Sequence, residues 1–235
     1  MNAIVISEQA ANSDEKYAEE LKNWLGSHQV LLADFFSSPG AGKTTLLKQL
    51  YSLMKKAGLS AGVLEADYDS SHAISALRDL GYPTVRMLTP DGVHLDARMV
   101  YEGLNGFESR LQDELDIVFL ENNGSLSRPV SLKTGAHAEI LVFSIPEGED
   151  KPLKYPASFQ RADLLVVSKS DAAEHFHFNM DRFLAAVRVL NPNLPIIRYS
   201  SKTGEGLQEI ADWIEARQRR LTNEKDSNSK NSKTE

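Results

Sequence analysis

Nine consecutive residues, Ser37-Ser38-Pro39-Gly40-Ala41-Gly42-Lys43-Thr44-Thr45, follow an apolar run and open an amphipathic one. In that setting they form a phosphate-binding loop. Glycines at 40 and 42 let successive backbone N–H groups turn into one concavity. The positive end of a helix starting near Lys43 adds to that cradle. Lys43 would reach the outer phosphates, and the Thr44 hydroxyl suits Mg²⁺. Pro39, Ala41 and Thr45 complete the candidate loop. The general pattern G-x-x-x-x-G-K-[ST] places its first glycine at 37, where this chain has Ser37.

Acidic residues close two other apolar runs. Glu65-Ala66-Asp67 puts Asp67 where it can face Mg²⁺, directly or through water, or orient an attacking water. Lys43 and Asp67 are therefore the catalytic candidates. Phe119-Leu120-Glu121-Asn122-Asn123-Gly124 makes Glu121 a third Mg²⁺ candidate after Thr44 and Asp67. Gly124 would let the backbone approach a γ-phosphate. The plainer reading is that Asp67 starts a turn or caps a helix and that Asn123-Gly124 is a strand-end turn.

Val166-Val167-Ser168-Lys169-Ser170-Asp171 resembles the guanine-reading pattern Asn-Lys-x-Asp. The Asp171 carboxylate can accept from guanine N1–H and its exocyclic amine, a donor pair that adenine lacks. The Lys169 stem can cover the face of the base. Ser168 replaces the Asn, and with it an amide that braces such loops. Ser200-Ser201-Lys202-Thr203-Gly204 supplies a second loop, with Ser201 and Lys202 expected beside the base.

The elements that must position these residues follow from periodicity. Strands are expected at Val30–Phe36, Ala61–Glu65, Thr84–Leu88, Ile117–Glu121, Ile140–Ile145, Leu164–Ser168 and Ile196–Ser200. Helices alternate with them. One starts at a Ser13 cap and carries Ala18, Leu21, Trp24 and Leu25 on one face. The next carries Leu46, Leu47, Leu50, Leu53 and Met54, and ends at Gly58. Others follow a Ser70 cap, span His94–Leu104, and contain Phe183-Val187-Leu190 and Leu207-Ile210-Ile214. Alternation of this kind predicts an α/β fold, a mostly parallel sheet covered by helices on both faces. Such sheets bind ligands beyond the carboxyl ends of their strands, where most of the candidates fall.

The 235 residues suffice for one large domain, assigned to 1–221 with an N-terminal amphipathic helix. Residues 222–235 are polar throughout and are expected to form a disordered tail. A net charge of −7 without a basic patch argues against a nucleic-acid partner. No apolar run reaches membrane-span length, and no leader-like pattern opens the chain, so a cytoplasmic location is the default. The absence of cysteine excludes disulfides and thiolate metal sites.

Taken together, these residues resemble the HypB-type hydrogenase nickel-incorporation GTPases, from about Phe35 to Trp213. The resemblance is carried by the loop at 37–45 with its initial Ser, by His94-Leu95-Asp96-Ala97, by Glu121-Asn122-Asn123-Gly124 and by Asn191-Pro192. The most specific stretch is Glu147-Gly148-Glu149-Asp150-Lys151-Pro152-Leu153-Lys154-Tyr155-Pro156. The resemblance implies a P-loop NTPase of the dimerising metallochaperone-GTPase class, with GTP, GDP and Mg²⁺ as ligands. It implies slow GTP hydrolysis coupled to nickel insertion into [NiFe] hydrogenase, a nucleotide-dependent homodimer, and other maturation proteins and the hydrogenase precursor as partners.

The same resemblance implies a metal site made by a Cys-His pair and a second Cys before a Pro. Here those positions read Val93-His94 and Arg128-Pro129. One imidazole does not make a tight nickel or zinc site, and Arg128 puts a fixed positive charge where a thiolate would sit. His94 is the remaining transition-metal candidate. His72 and His137 lie on separate elements, and His175 and His177 are two apart; packing or surface roles are expected for all four. Two mechanisms fit: a nucleotide-gated docking subunit whose partner carries the nickel, or weak metal binding through His94 at a dimer interface. A P-loop ATPase or kinase, and a regulatory protein that holds nucleotide without hydrolysing it, remain as alternatives.

Overall fold

The computed structural model describes residues 3–5, 14–67, 77–88, 95–107, 114–122, 126 and 133–231. Among them eight strands form one sheet: β1 (Ala3–Val5), β2 (Leu31–Ser37), β3 (Ala61–Asp67), β4 (Thr84–Leu88), β5 (Ile117–Asn122), β6 (Ala138–Ser144), β7 (Leu164–Ser168) and β8 (Ile196–Tyr199). Their order is β1-β4-β3-β5-β2-β6-β7-β8, and every neighbouring pair is parallel. The helices are α1 (Asp14–Ser27), α2 (Lys43–Lys56), α3 (Ala97–Leu104), α4 (Lys151–Lys154), α5 (Pro156–Arg161), α6 (Met180–Leu190) and α7 (Leu207–Asn231).

Strand β2 explains why both faces need helices. It is buried along its whole length, and successive side chains point to opposite faces. Leu31, Ala33 and Phe35 join Leu46, Leu47 and Leu50 of α2 and Ile210 and Ile214 of α7 in one core layer. Leu32 joins Leu25 of α1 and Val100 of α3 on the other face. Phe36 continues that face into a cluster with Phe143, Phe159 of α5 and Phe183 of α6. Such two-sided burial produces the near-continuous apolar runs of the sequence.

Register then aligns the carboxyl ends. Phe36 of β2 lies opposite Asn122 of β5, Glu65 of β3 opposite Glu121, and Ser144 of β6 opposite Ser168 of β7, which faces Tyr199 of β8. The loops after these strands therefore share one edge of the sheet. No helix among the described residues is long and apolar enough to cross a membrane.

Beyond shifts of one or two residues at strand ends, three features differ from the sequence expectation. The edge strand β1 went unread, because three residues carry no usable period. The His94–Leu104 helix begins at Ala97, because the Asp96 carboxylate accepts the Met99 N–H at 2.8 Å and caps it there. The third is a correction: α7 continues to Asn231, past the 222 boundary set for a disordered tail. Its first turns pack against α2 and β8, and once a helix is nucleated each added residue contributes a hydrogen bond at little cost. The caps expected at Ser13 and Ser70, and His72, lie outside the described residues.

His137 has a packing role. The Leu32 N–H donates to its Nδ1 at 3.1 Å, so the ring proton sits on Nε2, 3.0 Å from the Lys22 carbonyl. The ring thus ties α1 to β2 as a neutral group. Burial, aided by the Lys22 charge, holds its pKa down to about 4. The unfolded chain takes up the proton near pH 6.5. Stability from this group is complete above that pH and is lost as pH falls toward 4, by about 3 kcal/mol in all. Urea melts between pH 7 and 4.5 should show that loss, and His137→Gln should flatten it.

Candidate nucleotide-binding site

The phosphate loop leaves β2 at Ser37 and enters α2 at Lys43. Gly40 and Gly42 have φ of 75° and 100°, the left-handed region that side chains avoid. Open space surrounds both where a Cβ would stand, so conformation, not crowding, demands glycine. Gly42 caps α2 directly, which leaves the first helical N–H groups facing a cavity of about 490 Å³. Pro39, Gly40, Gly42, Lys43, Thr44 and Thr45 line it, together with Glu121. Ala41 does not line it: its methyl is buried in the core.

Lys43 is almost wholly buried, and its Nζ donates to Ser37 Oγ at 2.6 Å. The Ser37 hydroxyl in turn donates to the Ser38 carbonyl at 2.6 Å. The serine that replaces the first loop glycine thus receives the lysine. Burial lowers the Lys43 pKa, while Glu121, Glu147 and Asp34 oppose the shift. The Thr44 hydroxyl donates to the Glu121 carboxylate across 77 residues of sequence. A hydroxyl and a buried carboxylate at the mouth of a phosphate cradle are hard oxygen donors, and they fit Mg²⁺. Asp67 closes β3, the neighbour of β5, but its side chain lies outside the description, as do Gly124 and His94 entirely.

The second half of the site is sewn to the first. Ser168 Oγ donates to the Ala41 carbonyl at 2.6 Å, and Lys169 Nζ donates to the Gly40 carbonyl at 2.8 Å. Lys169 has φ 56°, which turns the chain at the end of β7. Ser168 therefore does the bracing expected of an Asn. Removing this buried hydrogen bond costs about 1–2 kcal/mol, so Ser168→Ala should weaken nucleotide binding about tenfold, measured by equilibrium titration.

Asp171 is aimed by a residue that sequence reasoning passed over. Ser200, fully buried, donates from Oγ to Asp171 Oδ1 at 2.6 Å. Ser200 Oγ itself accepts the N–H groups of Lys202 and Thr203, each at 3.2 Å. Ser201 is held by Gln49, whose amide donates to its carbonyl at 3.0 Å, while Tyr199 donates to Gln49 Oε1 at 2.8 Å. Ser170 donates to Glu205 at 2.6 Å and joins the two loops again. Spacing in sequence gave no sign of these pairings, since Ser200 and Asp171 are 29 residues apart.

A phosphate cradle on a strand-to-helix turn, with an acidic strand end and a second loop for a base, is a nucleotide-binding arrangement. Residues 34–198 match the CobW/HypB/UreG nucleotide-binding domain. The chain belongs to this family. It is 36% identical over 215 residues to the hydrogenase maturation factor HypB of Azotobacter chroococcum mcd 1, covering 90% of this chain and 68% of that protein. It is 32% identical to the hydrogenase/urease maturation factor HypB of Helicobacter pylori, covering 90% and 86% of the two chains. Helicobacter pylori HypB, solved in complex with nickel, superposes with a TM-score of 0.82 at 31% identity, covering 89% of this chain and 96% of that one. Archaeoglobus fulgidus HypB superposes at 0.79 and 27% identity, covering 88% and 98%.

The chain has no cysteine. Among the described residues, no group of three or more His, Asp or Glu side chains is placed to hold a metal ion. Positions 93, 94, 128 and 129 lie outside them.

Proposed function

We propose that this chain binds and slowly hydrolyses GTP, and that the nucleotide state gates its work as an accessory protein in nickel insertion during [NiFe] hydrogenase maturation. The carrying observation for the nucleotide is Asp171, held by Ser200 at 2.6 Å on a loop tied to the phosphate cradle. The match to hydrogenase maturation factors supports the biological setting.

The placement of the described residues supports a role for each in hydrolysis. Loop amides and the α2 N-terminus hold the inner phosphates. Lys43 leaves Ser37 for the outer phosphates and neutralises charge that grows on them. Thr44 and Glu121 would hold Mg²⁺, with Asp67 beside them; the ion would draw charge from the phosphate oxygens. Asp67 is assigned the water that attacks the γ-phosphate. Ser201 and Lys202 flank the base, and Lys169 covers it. Positioning and electrostatics supply the rate, with no covalent intermediate.

Nickel is cargo in this account. We take it to be carried by another maturation protein, with this chain as a nucleotide-gated docking subunit that pairs with a second copy when GTP is bound. A cytoplasmic setting suits such partners. The test of hydrolysis is phosphate release from stoichiometric GTP. Release above a Lys43→Ala control is expected. Release equal to that control, with GTP still bound, would make the chain a regulatory nucleotide binder.

A further inference from the structure

The tip of Lys43 marks where the outer phosphates belong. It lies at Ser37, and in a phosphate loop this lysine serves the β- and γ-phosphates. A second ammonium reaches the same place. Lys151 Nζ stands 3.4 Å from the hydroxyl of Ser38, across 113 residues of sequence. It comes from α4, after the 147–150 turn that leaves the carboxyl end of β6, next to β2 in the sheet.

Glu147 links the two lysines. Its Oε1 accepts the Ser144 N–H at 2.9 Å and the Ser144 hydroxyl at 3.0 Å. Its Oε2 faces Lys151 Nζ at 3.5 Å. The same carboxylate acts on Lys43, opposing the effect of burial there. One carboxylate thus acts on two cations. The Lys151 and Glu147 side chains are 19% and 11% exposed, so this pair is set into the site rather than waving in solvent. Yet neither the 3.5 Å nor the 3.4 Å contact is a tight hydrogen bond. The ammonium also rests 5.0 Å from the Tyr155 ring centroid, which guides it without fixing it. Its backbone platform is firmer. Glu149 accepts the Asn179 N–H at 2.8 Å and pairs with Arg182 at 3.0 Å.

We propose that Lys151 is a second cation for the terminal phosphate and that it makes the chain favour a nucleoside triphosphate over the diphosphate. The proposal rests on the GTP reading above. A γ-phosphate at the Ser37–Ser38 end of the loop would meet Lys43 and Lys151 together, and charge-assisted contacts to its oxygens are shorter and stronger than the present ones. A diphosphate ends one phosphate earlier. It keeps the amides and Lys43, and leaves Lys151 with Glu147.

The test is the affinity of the full chain for a non-hydrolysable GTP analogue and for GDP, both with Mg²⁺, in wild type, Lys151→Gln and Lys151→Arg. The Gln variant should lose about tenfold for the analogue and less than twofold for GDP. Arg, which keeps the charge, should recover most of the loss. Equal losses for both nucleotides, or no loss, overturn the role of Lys151 while leaving the GTP reading intact. A folded wild type that binds neither nucleotide overturns that reading and this proposal with it.

Discussion

Lys43→Ala is expected to weaken GTP binding by at least about 100-fold and to abolish phosphate release, with little loss of fold. The physical basis is the position of the ammonium. It is nearly buried, donates one hydrogen bond to the neutral Ser37 hydroxyl, and is balanced at a distance by Glu121, Glu147 and Asp34. Removing one member of a buried, hydrogen-bonded charge pair costs about 2–5 kcal/mol. Here the deserted partners in the complex would be the outer phosphates, so most of that cost falls on binding and on the transition state. Without nucleotide, the alanine variant loses a bond to Ser37 Oγ, which still donates to Ser38. Thermal melting should therefore move little without GTP, while the stabilisation that GTP gives the wild type should vanish. A variant that keeps GTP-dependent stabilisation would contradict the placement of Lys43.

The second large effect concerns the base. Asp171→Asn is expected to lower GTP affinity on the order of 1,000-fold and to raise affinity for xanthosine triphosphate. The carboxylate accepts from two guanine donors. An amide in its place keeps one acceptor and presents an N–H₂ to the guanine amine, so two donors face each other. Xanthine carries a carbonyl where guanine carries that amine, and it restores the match. Ser200 makes the exchange clean. Its hydroxyl donates to Oδ1, so it fixes the oxygen of the amide and turns the nitrogen toward the ligand. Competition titrations with GTP, ATP and the xanthine nucleotide read this directly. Equal, small losses for all three would show that Asp171 serves only the loop.

Much of this site was legible because its signals are local. The loop at 37–45 announces itself by glycines at fixed offsets between a strand and a helix, and the structure puts Pro39, Gly40, Gly42, Lys43, Thr44 and Thr45 around one cavity. Glu121 was found the same way, as an acid ending an apolar run, and it meets Thr44. The sheet followed from alternation, because two-sided burial leaves long apolar runs such as Leu31–Ser37.

What stayed hidden was pairing across long stretches of chain. Ser168 looked like a loss, since a hydroxyl is shorter than an amide. The Ala41 carbonyl comes close enough for it to serve. In sequence Ser200 is only the first residue of the second loop expected beside the base, and its burial and its hold on Asp171 depend on β7 and β8 lying side by side. The stretch 147–156 stood out by resemblance, but its chemistry did not. Only the packing of β6 against β2 shows that Glu147 and Lys151 adjoin the phosphate loop. The run of α7 to Asn231 was missed for another reason: polar residues say where a core ends, not where a helix does.

The most direct test of the account is competition for one bound, fluorescent guanosine diphosphate analogue, with Mg²⁺ present. GTP should displace it fully at low excess, and ATP at the same concentrations should leave it bound. Efficient displacement by ATP would contradict the assignment of Asp171 and Ser200 to guanine, and with it the GTPase reading of the chain.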